Sequence, residues 1–254
     1  MRILIAFLVT IFAGRLPARE LAVPPDARQL VLVSAASWES SSGTLRRYSR
    51  AESTQPWRAV GQPIPVELGR AGLAWGRGLH AAADFGPQKR EGDGKSPAGV
   101  FALTAAFGDG PRPPGVRLPY LRARPGVEAV DDPHSRYYNR IVDRAAIAHP
   151  DWRSSEKMLL PRGDYRLGIV VGHNPRCEPG AGSCIFLHVA CDPGRGTSGC
   201  TAMSLREVAG LQRWLDPRAH PVLVQAARAG ISKLVEVRGF EPLASSLRTK
   251  RSTN

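Results

Sequence analysis

The sequence predicts a mainly β protein with few helices, an α+β chain folded as a single domain. A buried core is expected because 43% of the 254 residues are hydrophobic. The 26 glycines and 22 prolines indicate many turns and loops. Short runs rich in β-branched and aromatic residues recur along the chain, whereas one segment has a clear helical period. No segment has a composition typical of a linker between domains, so we expect one domain over residues 27–236.

The first two predicted strands form a hairpin. Residues 29–34 are strongly β, and residues 44–49 alternate apolar and polar side chains. The Ser-Ser-Gly sequence at 41–43 supplies the turn between them. Further strands are predicted at 59–60, 64–66, 99–103, 165–171, 184–189 and 222–225. The stretch 108–136 is rich in Pro, Gly and Arg, and we expect it to be surface loop.

One helix is clearly indicated. Ser204 and Glu207 form a capping box, in which the serine side chain and the glutamate satisfy the first free N–H groups of a helix. Apolar residues then recur at helical spacing at positions 205, 208, 211, 214 and 215. The Asp-Pro pair at 216–217 is predicted to end the helix.

Both ends of the chain are predicted to lie outside the domain. Met1 and Arg2 precede twelve uncharged, mostly apolar residues, and Arg15 follows them. This pattern is too short to span a bilayer and is typical of a signal peptide, which we assign to residues 1–20. We therefore expect export, with an uncleaved anchor as the alternative because no clear cleavage site is present. No transmembrane span is predicted elsewhere. Residues 237–254 show no apolar period and are assigned to a tail without function.

The basic charge of the chain does not indicate nucleic-acid binding. The formal net charge is +13, but only five of the 35 basic residues are Lys. The arginines are scattered, whereas a nucleic-acid surface would cluster them and interleave them with aromatic residues. Four cysteines are also too few for a disulfide scaffold.

The chemistry is expected between residues 184 and 203. His188 ends an apolar strand, a Gly- and Pro-rich loop follows, and Cys200 stands shortly before the capped helix. Cysteine reacts as its thiolate, which a neighbouring imidazole favours. Gly199 lets a substrate carbonyl approach the backbone, and the N–H groups around Ser198, Gly199 and Cys200 can stabilise an oxyanion. Taken from the residues alone, a buried cysteine beside a strand histidine explains the pattern equally well.

Two segments carry a resemblance to a known family. Residues 184–203 resemble the catalytic motif of the YkuD-type L,D-transpeptidases, in which a strand His is followed by a loop and then by [Ser/Thr]-x-Gly-Cys. Residues 197–200, Thr-Ser-Gly-Cys, match it directly. Residues 91–101, Glu-Gly-Asp-Gly-Lys-Ser-Pro-Ala-Gly-Val-Phe, are similar to the family's Thr/Ser-Pro-x-Gly-x-Phe stretch. The resemblance covers about residues 27–236. It implies an L,D-transpeptidase-like β-sandwich or barrel with one helix after the nucleophile.

The resemblance implies a set of roles and a reaction. Cys200 would be the nucleophile, His188 the general base, and Thr197, Ser198 and Gly199 the oxyanion and substrate-binding residues. The thiolate would attack the amide on the L-centre of a diamino acid in a peptidoglycan stem peptide, releasing D-Ala and leaving a thioester. A second stem peptide, or an envelope lipoprotein, would then accept the acyl group through its amine. No cofactor is needed, and the expected location is the periplasm or the bacterial cell envelope.

Departures from the family pattern mark a divergent branch and leave alternatives open. Val189 follows the histidine where Gly is frequent, and Ala202 stands where Arg or Asn is usual. Eleven residues separate His188 from Cys200, which is short for the family. With water as the acceptor, the same site would be an L,D-carboxypeptidase or amidase. A non-catalytic cell-wall-binding module is the alternative from another class.

A zinc site is the remaining alternative, and geometry argues against it. The candidate ligands would be His173, Cys177, His188 and Cys191. In a hairpin of 165–173 and 184–189, His173 lies opposite about residue 184, so His188 is roughly 13 Å further along the strand at 3.3 Å per residue. Zinc ligands lie about 2.0–2.3 Å from a common metal, so no metal site is expected.

The remaining cysteines and polar pairs have open interpretations. The hairpin brings Cys177 near Cys184, which permits a disulfide. Cys191 is either unpaired or the redox partner of Cys200. The pair at 173–174 either lines the substrate cleft or ends a strand. The Asp pair at 131–132 is a candidate paired carboxylate, but a turn before a proline explains it better. Segments 137–139 and 151–156 are predicted to be a structured loop or lid.

Overall fold

The computed structural model describes residues 23–80, 86–159, 163–192, 194–228 and 230, so the predicted signal peptide and tail lie outside the described residues. Strands predominate, which confirms the mainly β class. In chain order the described strands are β1 (Gln29–Ala35), β2 (Ser42–Ser49), β3 (Arg58–Glu67), β4 (Leu73–Trp75), β5 (Ser96–Gly108), β6 (Tyr120–Arg122), β7 (Val127–Val130), β8 (Arg140–Asp143), β9 (Glu156–Lys157), β10 (Leu167–Val171), β11 (Phe186–Val189), β12 (Thr201–Met203) and β13 (Val222–Ala227). The described helices are α1 (Leu205–Trp214) and two short 3-10 turns, Arg144–Ala146 and Pro217–Ala219.

The main sheet closes on itself. Its strands are hydrogen-bonded in the order β10, β11, β12, β3, β2, β1, β13 and β5, and β5 pairs in turn with β10. Most of these pairs are antiparallel, whereas β1–β13 and β11–β12 are parallel. Strands β4 and β6 attach to β5 as further parallel partners. The sheet is therefore a closed barrel, and the long strand β5 is shared by four neighbours.

The predicted hairpin of β1 and β2 is confirmed, with Leu30 opposite Tyr48. The two short edge strands predicted next are wrong, because the single strand β3 spans both. Ile64 and Val66 are buried in β3 while the residues between and before them are exposed, so its second half alternates as a half-buried strand should. β3 pairs with β2 along its length and with β12 at Glu67 opposite Ala202.

The prediction that 108–136 is surface loop is wrong in part. Strands β6 and β7 lie within it, and β7 is buried along its whole length. Val127 and Ala129 pack with Phe107 and Phe186 in a core cluster, so this stretch covers one face of the main sheet. β7 also pairs with β8 and β9 in a separate three-stranded sheet.

Helix α1 begins and ends as predicted. The Ser204 side chain accepts a hydrogen bond from the Glu207 N–H, which is the expected cap. A 3-10 turn that starts at Pro217 follows the helix. The Gln212 side-chain amide donates to the carbonyls of Phe107 and Gly168 at 2.9 and 2.8 Å, which ties the helix to β5 and β10. Within the described residues, no helix has the length and apolar character that crossing a membrane requires.

Two core clusters surround the strands that carry the predicted site. The larger cluster is formed by β1, β5, β13 and α1, and it includes Leu187 and Val189 of β11. The smaller cluster lies between the main sheet and the three-stranded sheet, and it includes Phe186 and Cys200. Because successive side chains of a strand point to opposite faces, β11 contributes to both clusters. The predicted nucleophile is therefore placed between the two sheets.

Candidate active site

The pairing of β11 with β12 places His188 and Cys200 on one face. The neighbours of His188 point into the larger core, so His188 shares the other face with Phe186. His188 lies opposite Ala202 in the parallel register. Cys200 precedes Ala202 by two residues and so has the same side-chain direction, about 7 Å back along the strand at 3.3 Å per residue. Both predicted catalytic residues line the same cavity.

Side-chain hydrogen bonds fix the loop that precedes Cys200. The Thr197 hydroxyl donates to the Cys200 carbonyl at 2.6 Å and accepts from the Gly199 N–H at 3.1 Å. The guanidinium of Arg70 donates to Ser198 Oγ at 3.0 Å. All three residues predicted to bind the oxyanion or substrate therefore lie at the site. The Gly199 N–H is engaged within the loop, which leaves the N–H groups of Ser198 and Cys200 as the candidates for oxyanion binding.

The two segments that carry the family resemblance contact each other. Ser96 belongs to the 91–101 segment, and its hydroxyl donates to the Cys200 carbonyl at 2.9 Å. The same hydroxyl accepts from the Gly69 N–H at 2.8 Å, and Ser96 is fully buried. A Cβ atom on Gly199 would lie 3.1 Å from the Lys95 carbonyl, so this close approach favours glycine. The 91–101 segment thus supports the backbone of the predicted nucleophile.

The Cys200 thiol is held by backbone groups and is only 8% exposed. Its sulfur accepts from the Phe186 N–H at 3.3 Å and donates to the Cys184 carbonyl at 3.6 Å. Burial raises the pKa of the thiol well above its usual range, and the charge of Glu156 raises it further. The Phe186 N–H and the Lys89 ammonium act in the opposite direction. The Cys200 thiol is therefore neutral at rest.

His188 is oriented by a backbone carbonyl and is neutral. Its Nδ1 lies 2.9 Å from the Val189 carbonyl oxygen. Because a carbonyl can only accept, Nδ1 carries the proton, and Nε2 is the ring nitrogen that can accept one. The Asp164 carbonyl also lies within hydrogen-bonding reach of the imidazole. The Tyr165 ring packs edge-on against the imidazole at 5.4 Å. Burial lowers the pKa of His188, and the hydrogen bond to Val189 and the charge of Asp164 only partly oppose it. The imidazole is therefore ready to accept a proton at neutral pH.

A cavity of about 810 Å³ surrounds the pair and has a charged lining. This volume lies within the range of about 300–1,000 Å³ that is common for ligand sites. The acidic lining residues include Glu91, Asp131 and Glu156, and the basic ones include Arg70, Lys89 and Arg195. Such a cavity can receive a ligand that carries charges of both signs.

Segments 91–101 and 184–203 supply more than half of the lining, but sequence reasoning gave the acidic residues no role in the site. The turn predicted at 131–132 is formed by Asp132, whose carboxylate accepts from the His134 N–H at 2.9 Å, but Asp131 faces the cavity. Segment 151–156, predicted to be a loop or lid, delivers Glu156 to the cavity at the start of β9. Of the three acidic residues, only Glu91 lies in a segment that the sequence linked to the site, and the Asp131–Asp132 pair was noted only as a possible paired carboxylate.

His173 and Asn174 are structural residues. Neither lines the described cavity, and both are buried. His173 Nδ1 accepts from the Arg77 N–H at 3.3 Å, and Nε2 lies 3.1 Å from the Ala181 carbonyl. Burial lowers the pKa of His173 to about 4. Both ring nitrogens are thus engaged with backbone groups, and among the described residues no group of three His, Cys, Asp or Glu side chains is arranged to hold a metal ion.

The four cysteines carry thiols and form no disulfides. The bond that the hairpin permits between Cys177 and Cys184 is not formed. The Cys184 thiol donates to the Val130 carbonyl at 3.4 Å. Cys191 lines the cavity together with Cys200 and is not bonded to it.

Comparison of the chain with protein-family models, curated proteins and solved structures finds no match. Three features of the chain itself point to a function: segments 91–101 and 197–200, their contact at Cys200, and the geometry of the cavity.

Proposed function

We propose that the protein is a cysteine acyltransferase of the L,D-transpeptidase type that acts on peptidoglycan stem peptides. One observation carries the proposal: Ser96, from one segment similar to the family, donates to the carbonyl of Cys200, the nucleophile of the other. The two segments are about a hundred residues apart in sequence, and a chance match of both would not require them to meet. His188 in the same cavity supplies the base.

The first half of the proposed reaction forms a thioester. His188 Nε2 accepts the proton from the Cys200 sulfur as the sulfur attacks the amide carbonyl carbon. The N–H groups of Ser198 and Cys200 stabilise the oxyanion that develops on the carbonyl oxygen. The C–N bond then breaks, the departing amine of D-Ala takes the proton from His188, and the acyl group remains on Cys200. Because thiol and imidazole both start neutral, proton transfer accompanies the attack.

The second half returns the enzyme to its starting state. An amine from a second stem peptide, or from an envelope lipoprotein, loses a proton to His188 and attacks the thioester carbonyl. The C–S bond breaks, and the sulfur of Cys200 recovers the proton. Ala202 stands beside His188 in the register and presents only a methyl group, so this position leaves room for an acceptor. The proposed setting is the periplasm or cell envelope, where both partners occur.

Product analysis tests the proposal. Purified protein is incubated with a tetrapeptide stem that ends in D-Ala, with and without an amine acceptor. Release of D-Ala and appearance of a cross-linked peptide are expected for the unaltered protein and for Cys191→Ala, and neither is expected for Cys200→Ala. Release of D-Ala with water as the sole acceptor would identify the carboxypeptidase alternative. Unchanged turnover in Cys200→Ala would refute the proposal.

A further inference from the structure

Three carboxylates converge in the wall of the cavity. Glu91, Asp131 and Glu156 all line it. The charges of Asp131 and Glu91 both raise the pKa of Glu156, in addition to burial, and all three carboxylates raise the pKa of the Cys184 thiol. Tyr138 donates to Glu91 and thereby fixes that carboxylate in place. The groups are therefore close enough to repel one another.

Tyr165 fixes the third carboxylate. Its hydroxyl donates to Glu156, and its ring contacts His188. We call the part of the lining formed by Glu91, Asp131 and Glu156 the acidic wall. The Tyr165 side chain therefore links this wall to His188, the predicted general base.

Two polar atoms of this wall lack partners. Ser183 is only 7% exposed, and its hydroxyl lies near the Tyr138 hydroxyl and the Cys184 thiol, but no well-aligned hydrogen bond satisfies it within the described residues. The Asp131 Oδ1 atom is likewise enclosed and without a partner there. Within the described chain, no Lys or Arg side chain is ion-paired with any of the three carboxylates. Leaving such groups unpaired is costly, which points to donors brought by a ligand.

The chemistry of the wall selects the ligand class. Carboxylates only accept hydrogen bonds, so the ligand must donate several and carry positive charge. A primary ammonium group has three donors and one positive charge. The absence of a metal-holding arrangement among the described side chains argues against a cation of that kind.

We infer that Glu91, Asp131, Glu156 and Ser183 form a subsite for a primary ammonium group of the substrate, and that the bound ammonium makes Cys200 reactive. The inference rests on the proposed function for the identity of the reaction. The recognition of an ammonium group stands on the cavity alone.

The coupling to Cys200 is electrostatic and follows from geometry. Glu156 and Cys200 line the same cavity, and Tyr165, which donates to Glu156, packs with Cys200 in the smaller core cluster. The negative charge of Glu156 opposes ionisation of Cys200, and it is the largest charge effect on that thiol. An ammonium beside Glu156 offsets this charge and adds to the opposite effect of Lys89. The proton of Cys200 then passes more readily to His188 Nε2. The other titratable groups near the thiol are Tyr165 and Cys184, which are both buried and neutral. Binding of the substrate's ammonium group would therefore favour deprotonation of the Cys200 thiol.

Binding to an inactive variant tests the subsite. Two peptides that differ only in one side chain, lysine against norleucine, are titrated calorimetrically into Cys200→Ser. We expect the lysine peptide to bind about ten-fold or more tightly, as for charge-assisted hydrogen bonds in a cavity. Asp131→Asn in the same background should largely remove the preference, whereas Asp109→Asn, a carboxylate outside the cavity, should keep it. Equal affinities, or no binding of either peptide, would overturn the inference.

Alkylation of the thiol tests the coupling. The rate at which iodoacetamide modifies Cys200 is followed at fixed pH by peptide-resolved mass spectrometry. Glu156→Gln should raise the rate about three- to ten-fold, because a lower thiol pKa increases the thiolate fraction. Glu156→Asp keeps the charge and should keep the slow rate. An unchanged rate in a folded Glu156→Gln protein would overturn the coupling.

Neither measurement depends on acyl transfer. A protein that prefers the lysine peptide but releases no D-Ala from stem peptides would retain the ammonium subsite and refute the proposed function. A protein that releases D-Ala but binds both peptides equally would support the proposed function and refute the ammonium subsite.

Discussion

Replacement of Ser96 by Ala should weaken the fold and disturb the backbone of Cys200, the proposed nucleophile. The Ser96 hydroxyl is fully buried, donates to the Cys200 carbonyl and accepts from the Gly69 N–H. The Cys200 carbonyl still accepts a hydrogen bond from Thr197 in this variant, so loss of the bond from Ser96 costs about 1 kcal/mol. The Gly69 N–H becomes a buried donor without a partner, which costs about 1–3 kcal/mol. The free energy of unfolding should therefore fall by about 2–4 kcal/mol.

A double-mutant cycle measures how strongly Ser96 and Thr197 are coupled through the Cys200 carbonyl, which accepts a hydrogen bond from each. Thr197→Val removes the other donor to the Cys200 carbonyl. When both donors are removed, that carbonyl has lost both side-chain partners, so the double variant should lose more stability than the sum of the single losses. Coupling of about 0.5–3 kcal/mol is usual for residues in one hydrogen-bond network. Urea unfolding of the four proteins, followed by tryptophan fluorescence, measures the cycle.

The control for this cycle is an exposed serine. Ser37 forms hydrogen bonds at the surface, and Ser37→Ala should change stability by less than about 0.5 kcal/mol. Two results would refute this role of the Ser96 hydroxyl. One is a loss of stability in Ser96→Ala no larger than in Ser37→Ala, and the other is simple addition of the losses from Ser96→Ala and Thr197→Val.

Three further predictions concern pH, capping and charge. The pKa of His173 is about 4 in the folded protein and about 6.5 in the unfolded chain. Between these pH values only the unfolded chain binds a proton at His173, so the free energy of unfolding is unaffected above pH 6.5 and falls as the pH drops towards 4. Urea unfolding at pH 7.5 and 5 should show a loss of about 2 kcal/mol from this residue, and His173→Gln should reduce it; an identical loss in both proteins would contradict the assignment. Ser204→Ala removes the α1 cap and should cost about 1 kcal/mol by thermal unfolding, whereas an unchanged melting temperature would show that the cap contributes nothing. Lys89→Met should slow alkylation of Cys200 and Lys89→Arg should not, because the positive charge lowers the pKa of the thiol; equal rates in the two variants would exclude that role.

Features that depend on nearby residues were predictable from the sequence. The Ser204–Glu207 cap and the spacing of apolar residues defined α1, because both operate within one or two helical turns. The β1–β2 hairpin followed from alternation and a short turn. The 165–173 and 184–189 hairpin was also correct: His188 lies opposite Gly168 in β10. Strand alternation then fixed the face on which His188 would lie.

The acidic wall could not be predicted, because tertiary packing assembles it. Glu91, Asp131 and Glu156 come from three separate segments, and only the folding of β7, β8 and β9 against the main sheet brings them together. The stretch 108–136 was misassigned for a similar reason. Its composition is typical of loop, and the short buried strand β7 gains its partners only from later segments.

The central claim is that Cys200 carries the acyl group, and one measurement tests it directly. The protein is mixed with a tetrapeptide donor, quenched in acid within the first turnover, digested and mapped by mass spectrometry. If Cys200 is the nucleophile, the peptide that contains it should carry a thioester with the mass of the donor less D-Ala, and hydroxylamine should release this adduct. An adduct on another residue, or none on Cys200 while D-Ala is released, would contradict the account.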